Sequence, residues 1–224
     1  MHFLFRPSPH PYHPHLPSWR QPLYLHLKPL WLALERALAT SRGRVLDIGC
    51  GLQPYRRFLD PAVTEYVGID REGPLSRPTV VGSAESLPFP DQSFDVVLST
   101  QVLEHLPDPE RALREAVRVL KRGGRMILTV PGVWPTHEAP HDFWRFTRHG
   151  LMRLLADHEI VYRDLEALGG LWATLGQMTS LEIHRIFGLR ELIPMMNVCA
   201  ELLDKLPSHE DLVMNWFVDG VRAR

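Results

Sequence analysis

Cysteine is scarce in this chain. Cys50 and Cys199 are the two among 224 residues, which argues against a disulfide framework. Neither sign of charge is in excess: 25 Lys and Arg stand against 26 Asp and Glu, a formal net charge of −1. A nucleic-acid binder carries a basic excess, so no nucleic acid is expected as a partner. Long apolar runs are also missing. Residues 167–181, ALGGLWATLGQMTSL, form an uncharged run of fifteen residues near the C-terminus. That falls short of the roughly 20 needed to cross a bilayer, and Gln, Ser and two Thr interrupt it. The first residues, MHFLFRPSPHPYHPHLP, lack the apolar core of a secretory signal. A cytoplasmic protein without a membrane span is expected.

Two nucleotide-binding patterns are absent as well. No phosphate-loop pattern ending in Gly-Lys-Ser or Gly-Lys-Thr occurs. The dinucleotide fingerprint needs a third glycine, and Pro54 stands at that position after Gly49 and Gly51. Proline is tolerable in the first turn of a helix. It cannot supply the close helix–strand packing of that glycine, so a nicotinamide-dependent oxidoreductase is disfavoured.

The chain does contain the run VLDIGCG, Val45 to Gly51. Val45 to Ile48 read as a short buried strand. Gly-Cys-Gly reads as a turn that lets a ligand approach the backbone closely. Asp70 follows nineteen residues after Gly51, at the end of a second apolar strand, YVGID. An acidic residue there is placed to hold ribose hydroxyls. The ligand therefore carries a nucleoside.

Residues 1–22 are rich in proline and histidine and read as an extended arm. His10, His13 and His15 within it read as part of a tail rather than a metal site. Residues 23–224 read as one domain. A helix is expected from Pro29, with Leu30, Leu34 and Leu38 at helical spacing and Trp31 alongside. Short apolar strands are expected at Val45–Ile48, Tyr66–Ile69, Thr79–Val81, Phe94–Ser99 and Met126–Val130. Between the last two, Asp108 caps a helix that Pro109 starts. Leu113, Val117 and Leu120 form its buried stripe, and Gly123-Gly124 ends it. A helix from Thr147 to about Asp157 and a strand near Ile160–Leu165 are expected next. Helical material over 167–206 and a closing antiparallel strand at Asn215–Val218 complete the pattern. Strands alternating with helices give an α/β, doubly wound, mostly parallel sheet. Residues 133–206 carry a loop and an added helical segment.

Four ordered segments carry a family resemblance: VLDIGCG, YVGIDREG, VGSAESLPFPDQSFDVVLSTQVLEHL and EAVRVLKRGGRMILTVPG. Together they resemble the motifs of class I S-adenosylmethionine-dependent methyltransferases, in the small-molecule flavour typified by quinone-biosynthesis enzymes. The match spans roughly residues 43–132. HDFWRFTRHGLMRLL, residues 141–155, resembles a subgroup associated with bacterial surface-glycan and secondary-metabolite pathways. The resemblance implies a Rossmann-like sheet of seven strands and S-adenosylmethionine as methyl donor. It implies a small-molecule acceptor, with a sugar or glycan precursor as one class. A cofactor-binding module without catalysis is the rival reading.

By that resemblance the cofactor contacts fall on Asp47, Gly49, Cys50, Gly51, Asp70, Arg71, Ser83, Ala84, Glu85 and Thr100. Gly49 and Gly51 leave room for the methionine half. Asp70 takes the ribose diol. Ser83 stands where the family commonly has an aspartate that meets the adenine amino group. His105 belongs to the LEH signature and has the intrinsic pKa of a general base. His141 is the second catalytic candidate. His137 and His141 also spell H-E-x-x-H, a zinc pattern when it lies on a helix. Pro140 falls inside the run and would break such a helix, so no metal is expected. His137, His141, Asp142, Trp144 and Arg145 are instead expected to line an acceptor pocket. The run from 167 reads as a lid or core helix first. A homodimer face and a membrane-surface element are the other readings.

Overall fold

The computed structural model describes residues 16–206 and 212–223. His10, His13 and His15 lie outside the described residues. Seven strands form one sheet in the order β3-β2-β1-β4-β5-β7-β6. They are β1 (Gly43–Ile48), β2 (Val63–Asp70), β3 (Val80–Val81), β4 (Phe94–Thr100), β5 (Leu120–Pro131), β6 (Ile160–Leu168) and β7 (Asn215–Arg222). β1 through β5 pair in parallel. β7 runs antiparallel between β5 and β6. The expected doubly wound, mostly parallel sheet is therefore present.

Alternation along the strands sorts the core into two layers. Val45, Val96, Leu98 and Ile127 face helix α1 (Tyr24–Leu38), where Leu30, Leu34 and Leu38 are buried. Leu46, Ile48, Val97, Met126 and Leu128 face the other way, toward α2 (Pro109–Val119) and α3 (Arg148–Asp157). Burying one such leucine contributes about 1.5–3 kcal/mol. Asp108 caps α2 by accepting the Arg111 N–H at 2.9 Å. Thr147 caps α3 through the Gly150 N–H.

Three expectations need correcting. α1 starts at Tyr24, and Pro29 lies within it. α2 ends at Val119, not at Gly123-Gly124. Those glycines belong to the long β5, with Gly123 at φ +73, where the pairing with β4 shifts register. The third concerns the uncharged run: its first two residues, Ala167 and Leu168, end β6, and the helix begins only at Leu171. The run then enters α4 (Leu171–Phe187), which with α5 (Ile193–Leu203) packs beside α1. α4 buries Ala173, Thr174, Gln177 and Ser180, while Leu175, Ile186 and Phe187 are exposed. Of its inner polar groups, Thr174 donates to the Gly169 carbonyl, and Ser180 Oγ is buried without a partner. Gln177 accepts the His26 N–H and donates to the Pro22 carbonyl. Asn197 of α5 donates to the Trp19 and Gln21 carbonyls. The C-terminal part of the expected arm is docked by these amides.

The order of strands reverses between β1 and β4. Open α/β sheets place ligands at the carboxyl ends of strands beside such a reversal. Among the described residues no helix is long and apolar enough to cross a membrane.

Candidate active site

The turn after β1 is more tightly held than its sequence suggests. Its amides do not stand free. The Gly49 and Cys50 N–H groups both donate to the Ile69 carbonyl, and the Gly51 N–H donates to Asp70 Oδ2 at 2.8 Å. Gly49 has φ +67, and a Cβ there would meet the Val102 side chain at 2.3 Å. The missing side chain thus makes room for Val102, which seats the end of β4 against the turn. Cys50 is buried, and its sulfur packs over Gly68. Burial pushes its thiol up to about 12. The thiol is packed and inert, and any cofactor contact from Cys50 falls to its backbone.

Asp70 closes the turn from β2. Its Oδ1 accepts the Arg71 N–H at 2.7 Å, so both oxygens are oriented by backbone donors. Each oxygen keeps further acceptor capacity. Arg71 itself is exposed and contributes that amide.

Asp47 lies one residue before Ile48, fully buried on the α1 side. Oδ2 accepts the Tyr66 hydroxyl at 2.5 Å. Oδ1 is buried without a partner. An orphaned carboxylate oxygen beside the turn fits a cationic or N–H donor of a bound ligand. Burial is the main cause that pushes this carboxyl up to about 7, with the Asp70 charge adding to it and the Tyr66 bond opposing. The folded chain therefore holds this proton over a range where the unfolded chain has lost it. Stability from Asp47 falls as pH rises from the unfolded value near 3.8 to about 7, and is level above. Asp47→Asn should remove that slope. In urea unfolding at about pH 4.5 and about pH 8.5, the variant should gain on the wild type at the higher pH. A difference that does not change with pH would contradict this reading.

The stretch after β3 is half-buried. Ser83 Oγ accepts the Glu85 N–H at 3.2 Å, and Ala84 packs against the core. Glu85 is tied down: its carboxylate accepts the Asp108 N–H and its carbonyl accepts from Arg111. Ser83 and Ala84 follow Gly82, whose N–H donates to the Asp70 carbonyl, while Glu85 braces α2.

Beyond Val102 the chain makes a 3₁₀ turn, Leu103–His105. Gln101, just after Thr100, has φ +54, a costly backbone for a side chain with a Cβ. Its N–H and side chain both bond Thr129 of β5, which compensates locally. The turn buries Glu104 completely, and neither of its carboxylate oxygens has a partner. Burial pushes this carboxyl up to about 8. His105 Nδ1 lies 2.6 Å from the His141 carbonyl, so Nδ1–H donates and Nε2 is left free. Nε2 is 3.8 Å from Glu104 Oε1 and 3.9 Å from Glu138 Oε2.

The loop over residues 133–146 is held to this turn by its own polar groups. The Phe143 and Trp144 N–H groups donate to the Glu104 carbonyl. The Trp144 indole donates to the Leu106 carbonyl at 2.9 Å. Arg145 grips both oxygens of Asp142 at 2.7 and 2.8 Å and donates to the Trp134 and Pro135 carbonyls. Asp142 also accepts the His137 N–H at 2.8 Å. The Arg145 guanidinium and these donors hold the Asp142 carboxyl well below its ordinary range. So Asp142, Trp144 and Arg145 fasten the loop rather than line a pocket. His137 is brought beside His105, with ring centroids 4.8 Å apart. Burial lowers its pKa. His141 offers its carbonyl to His105, while its exposed ring lies 6.3 Å from Phe143.

No sequence signal marks Tyr66 or Glu104 here, while His137 is already among the residues expected in this loop. Tyr66 was read as strand filler; it lies across from Val45 on the neighbouring strand, and its hydroxyl reaches Asp47. Glu104 stands beside His105 in the LEH run, with no signal that it is buried. His137 pairs by spacing with His141 in the sequence, whereas in the fold its ring meets His105.

Comparison with known proteins agrees with this fold. A methyltransferase domain model matches residues 46–128, from β1 through β5. Methyltransferase YcgJ of Bacillus subtilis is 35% identical over 127 residues, covering 50% of this chain and 48% of that protein. The chain spans about half the length of the first curated relatives it matches. Methyltransferase C1B3.06c of Schizosaccharomyces pombe is 29% identical over 192 residues, covering 66% and 68%. A chloroplastic 2-methyl-6-phytyl-1,4-hydroquinone methyltransferase of Arabidopsis thaliana is 42% identical over 80 residues, 35% of this chain and 23% of that one. The crystal structure of Bacillus subtilis YcgJ superposes with a TM-score of 0.56 at 20% identity, over 89% of this chain and 100% of that one. The cyclase SpnF superposes equally well, with a TM-score of 0.57 at 21% identity over 87% and 80%. These superpositions speak for the fold, which hosts more than one chemistry. Strand order, ordered motifs and matched domain converge: the chain has the class I methyltransferase fold, and its residues 46–128 match a methyltransferase domain.

Proposed function

We propose that the chain transfers a methyl group from S-adenosylmethionine to a small-molecule acceptor, with a sugar or glycan precursor as one acceptor class. The observation that carries this is the join between two half-sites. Val102 packs directly over Gly49, and the turn that follows it holds Glu104 and His105. A nucleoside site on β1 and β2 thus abuts a buried polar cluster after β4.

In this reading Asp70 accepts the ribose hydroxyls, and Gly51 and Arg71 hold its carboxylate in place. Asp47 meets the amino end of the cofactor through Oδ1. Ser83 and Ala84 border the adenine, and Thr100 closes the floor at the end of β4. When bound, the cofactor supplies an activated methyl group on a sulfonium. The protein's task is then alignment of the acceptor with that methyl. Glu104, His105 and His137 supply the acceptor side. His105 Nε2 is free to face an acceptor hydroxyl and take its proton. His141 is a positioning residue, because its carbonyl fixes the tautomer of His105.

The test is transfer of labelled methyl from S-adenosylmethionine into a fractionated metabolite extract. Label should enter a small-molecule fraction with the wild type and not with Asp70→Ala. No transfer into any fraction, together with retained cofactor binding, would favour the binding-module reading.

A further inference from the structure

We infer that Glu104, His105 and His137 form a binding site for one divalent transition-metal cation, set on the acceptor side of the cleft. Among the described residues, one donor atom from each of these three lies within 4.8 Å of the other two. Two neutral imidazoles and a carboxylate are a ligand set that suits zinc or ferrous iron and leaves positions open.

Three independent observations support the site. The first is Glu104. It is completely buried, and both its oxygens lack a partner. A buried carboxylate in that condition is costly, and a cation is the partner its surroundings lack. The Arg145 guanidinium, whose charge acts on Glu104, is already engaged by both oxygens of Asp142.

The second is the orientation of the histidines. Metal-bound imidazoles usually give their other nitrogen to a carbonyl or carboxylate. His105 does so to the His141 carbonyl at 2.6 Å, leaving Nε2 toward Glu104. His137 Nδ1 is buried and makes no hydrogen bond, with the Asp142 carboxylate 3.3 Å away and locked by Arg145. The third is spacing. Two ligands on a tetrahedral zinc lie roughly 3.3 Å apart, given bonds of about 2.0–2.1 Å. His105 Nε2 and Glu104 Oε1 are 3.8 Å apart, so a shift of about half an ångström closes that pair. Glu138 stands at the rim, 3.9 Å from the same nitrogen.

This ligand set differs from the H-E-x-x-H pattern. His137 takes part, but His141 contributes a carbonyl to His105 and no ring nitrogen. The proline-broken loop that defeats the helical zinc motif is what carries His137 across to His105. Metal binding stands on this geometry alone. A role for the ion toward an acceptor oxygen rests on the function proposed above, with His105 then acting as ligand rather than as base.

The test uses the full chain, stripped with chelator and titrated with cobalt(II) as the probe. One ion per chain is expected, with the visible absorption of a low-coordinate site, and zinc should displace it. Glu104→Gln and His137→Asn should each weaken uptake by about a hundredfold or more, since even a group behind a ligand is worth 10–100-fold. Circular dichroism checks that each variant is folded; should one not be, the other decides. His141→Ala should keep the site. Replacing His10, His13 and His15 together should also keep it, which separates it from the N-terminal histidines. Overturning results are no uptake by the wild type, uptake unchanged in folded Glu104→Gln and His137→Asn, or uptake lost with the N-terminal histidines. Methyl transfer without metal uptake would overturn this site and leave the proposed function standing; uptake without methyl transfer would do the reverse.

Discussion

Replacing Asp70 by alanine is expected to weaken S-adenosylmethionine binding by on the order of a hundredfold or more. The carboxylate is held by the Gly51 and Arg71 N–H groups at 2.8 and 2.7 Å. It keeps acceptor capacity for two ribose hydroxyls. Hydrogen bonds to a charged group are worth about 1.5–3 kcal/mol each, and 1.4 kcal/mol is about tenfold in affinity. The structure adds a second contribution in the same direction. Without Asp70 the Gly51 N–H loses its acceptor, and the turn loses a tie to β2. Asp70→Asn keeps one acceptor oxygen and should fall between alanine and wild type. Calorimetric titration of the three proteins checks the order. An unchanged dissociation constant in the alanine variant would place the ribose elsewhere.

The largest stability effect is expected at Arg145. Its guanidinium neutralises Asp142, whose side chain is 2% exposed. Removing one partner of a buried ion pair strands the other charge and costs about 3–5 kcal/mol. Arg145 is 26% exposed, so water rescues part of that, and the lower end applies to Arg145→Leu. The same substitution releases the Trp134 and Pro135 carbonyls, and the loop then loses the fastening that presents His137 to His105. Urea unfolding should show a loss of about 3 kcal/mol. Removing both charges, with Asp142→Leu added, should recover part of it, because no stranded carboxylate remains. Cofactor affinity should stay within a few-fold, since the β1–β2 turn shares no hydrogen bond with this loop. A loss under about 1 kcal/mol would mean that the pair is solvated and the loop is held by other contacts.

The two halves of the site differ in how far the sequence alone exposes them. The cofactor half is local. Val45 to Gly51 and Asp70 sit at the ends of two adjacent strands, and strand ends are readable from apolar runs and glycine. Even there, the sequence does not show what the turn's amides bond to. The Ile69 carbonyl and the Asp70 carboxylate take all three of them, and only the pairing of β1 with β2 reveals this. Gly49 similarly reads as space for a ligand, while the fold gives that space to Val102, fifty-three residues on. The acceptor half is non-local. Glu104 and His137 come together through the turn after β4 and the loop after β5, and no periodicity links them. The polar inner face of α4 was illegible for a related reason. Hydropathy marks that helix as apolar, but Gln177 sits inside to satisfy the backbone around His26 and Pro22, while Leu175 and Ile186 turn outward.

The turn after β1, closed by Asp70, is the proposed site for S-adenosylmethionine. Calorimetric titration of the 224-residue chain with S-adenosylmethionine, with its demethylated product and with NAD tests this most directly. Micromolar-range binding of the first two and none of NAD is the predicted result. Tighter binding of NAD, or no binding of either methionine-bearing nucleoside by the folded protein, would contradict it.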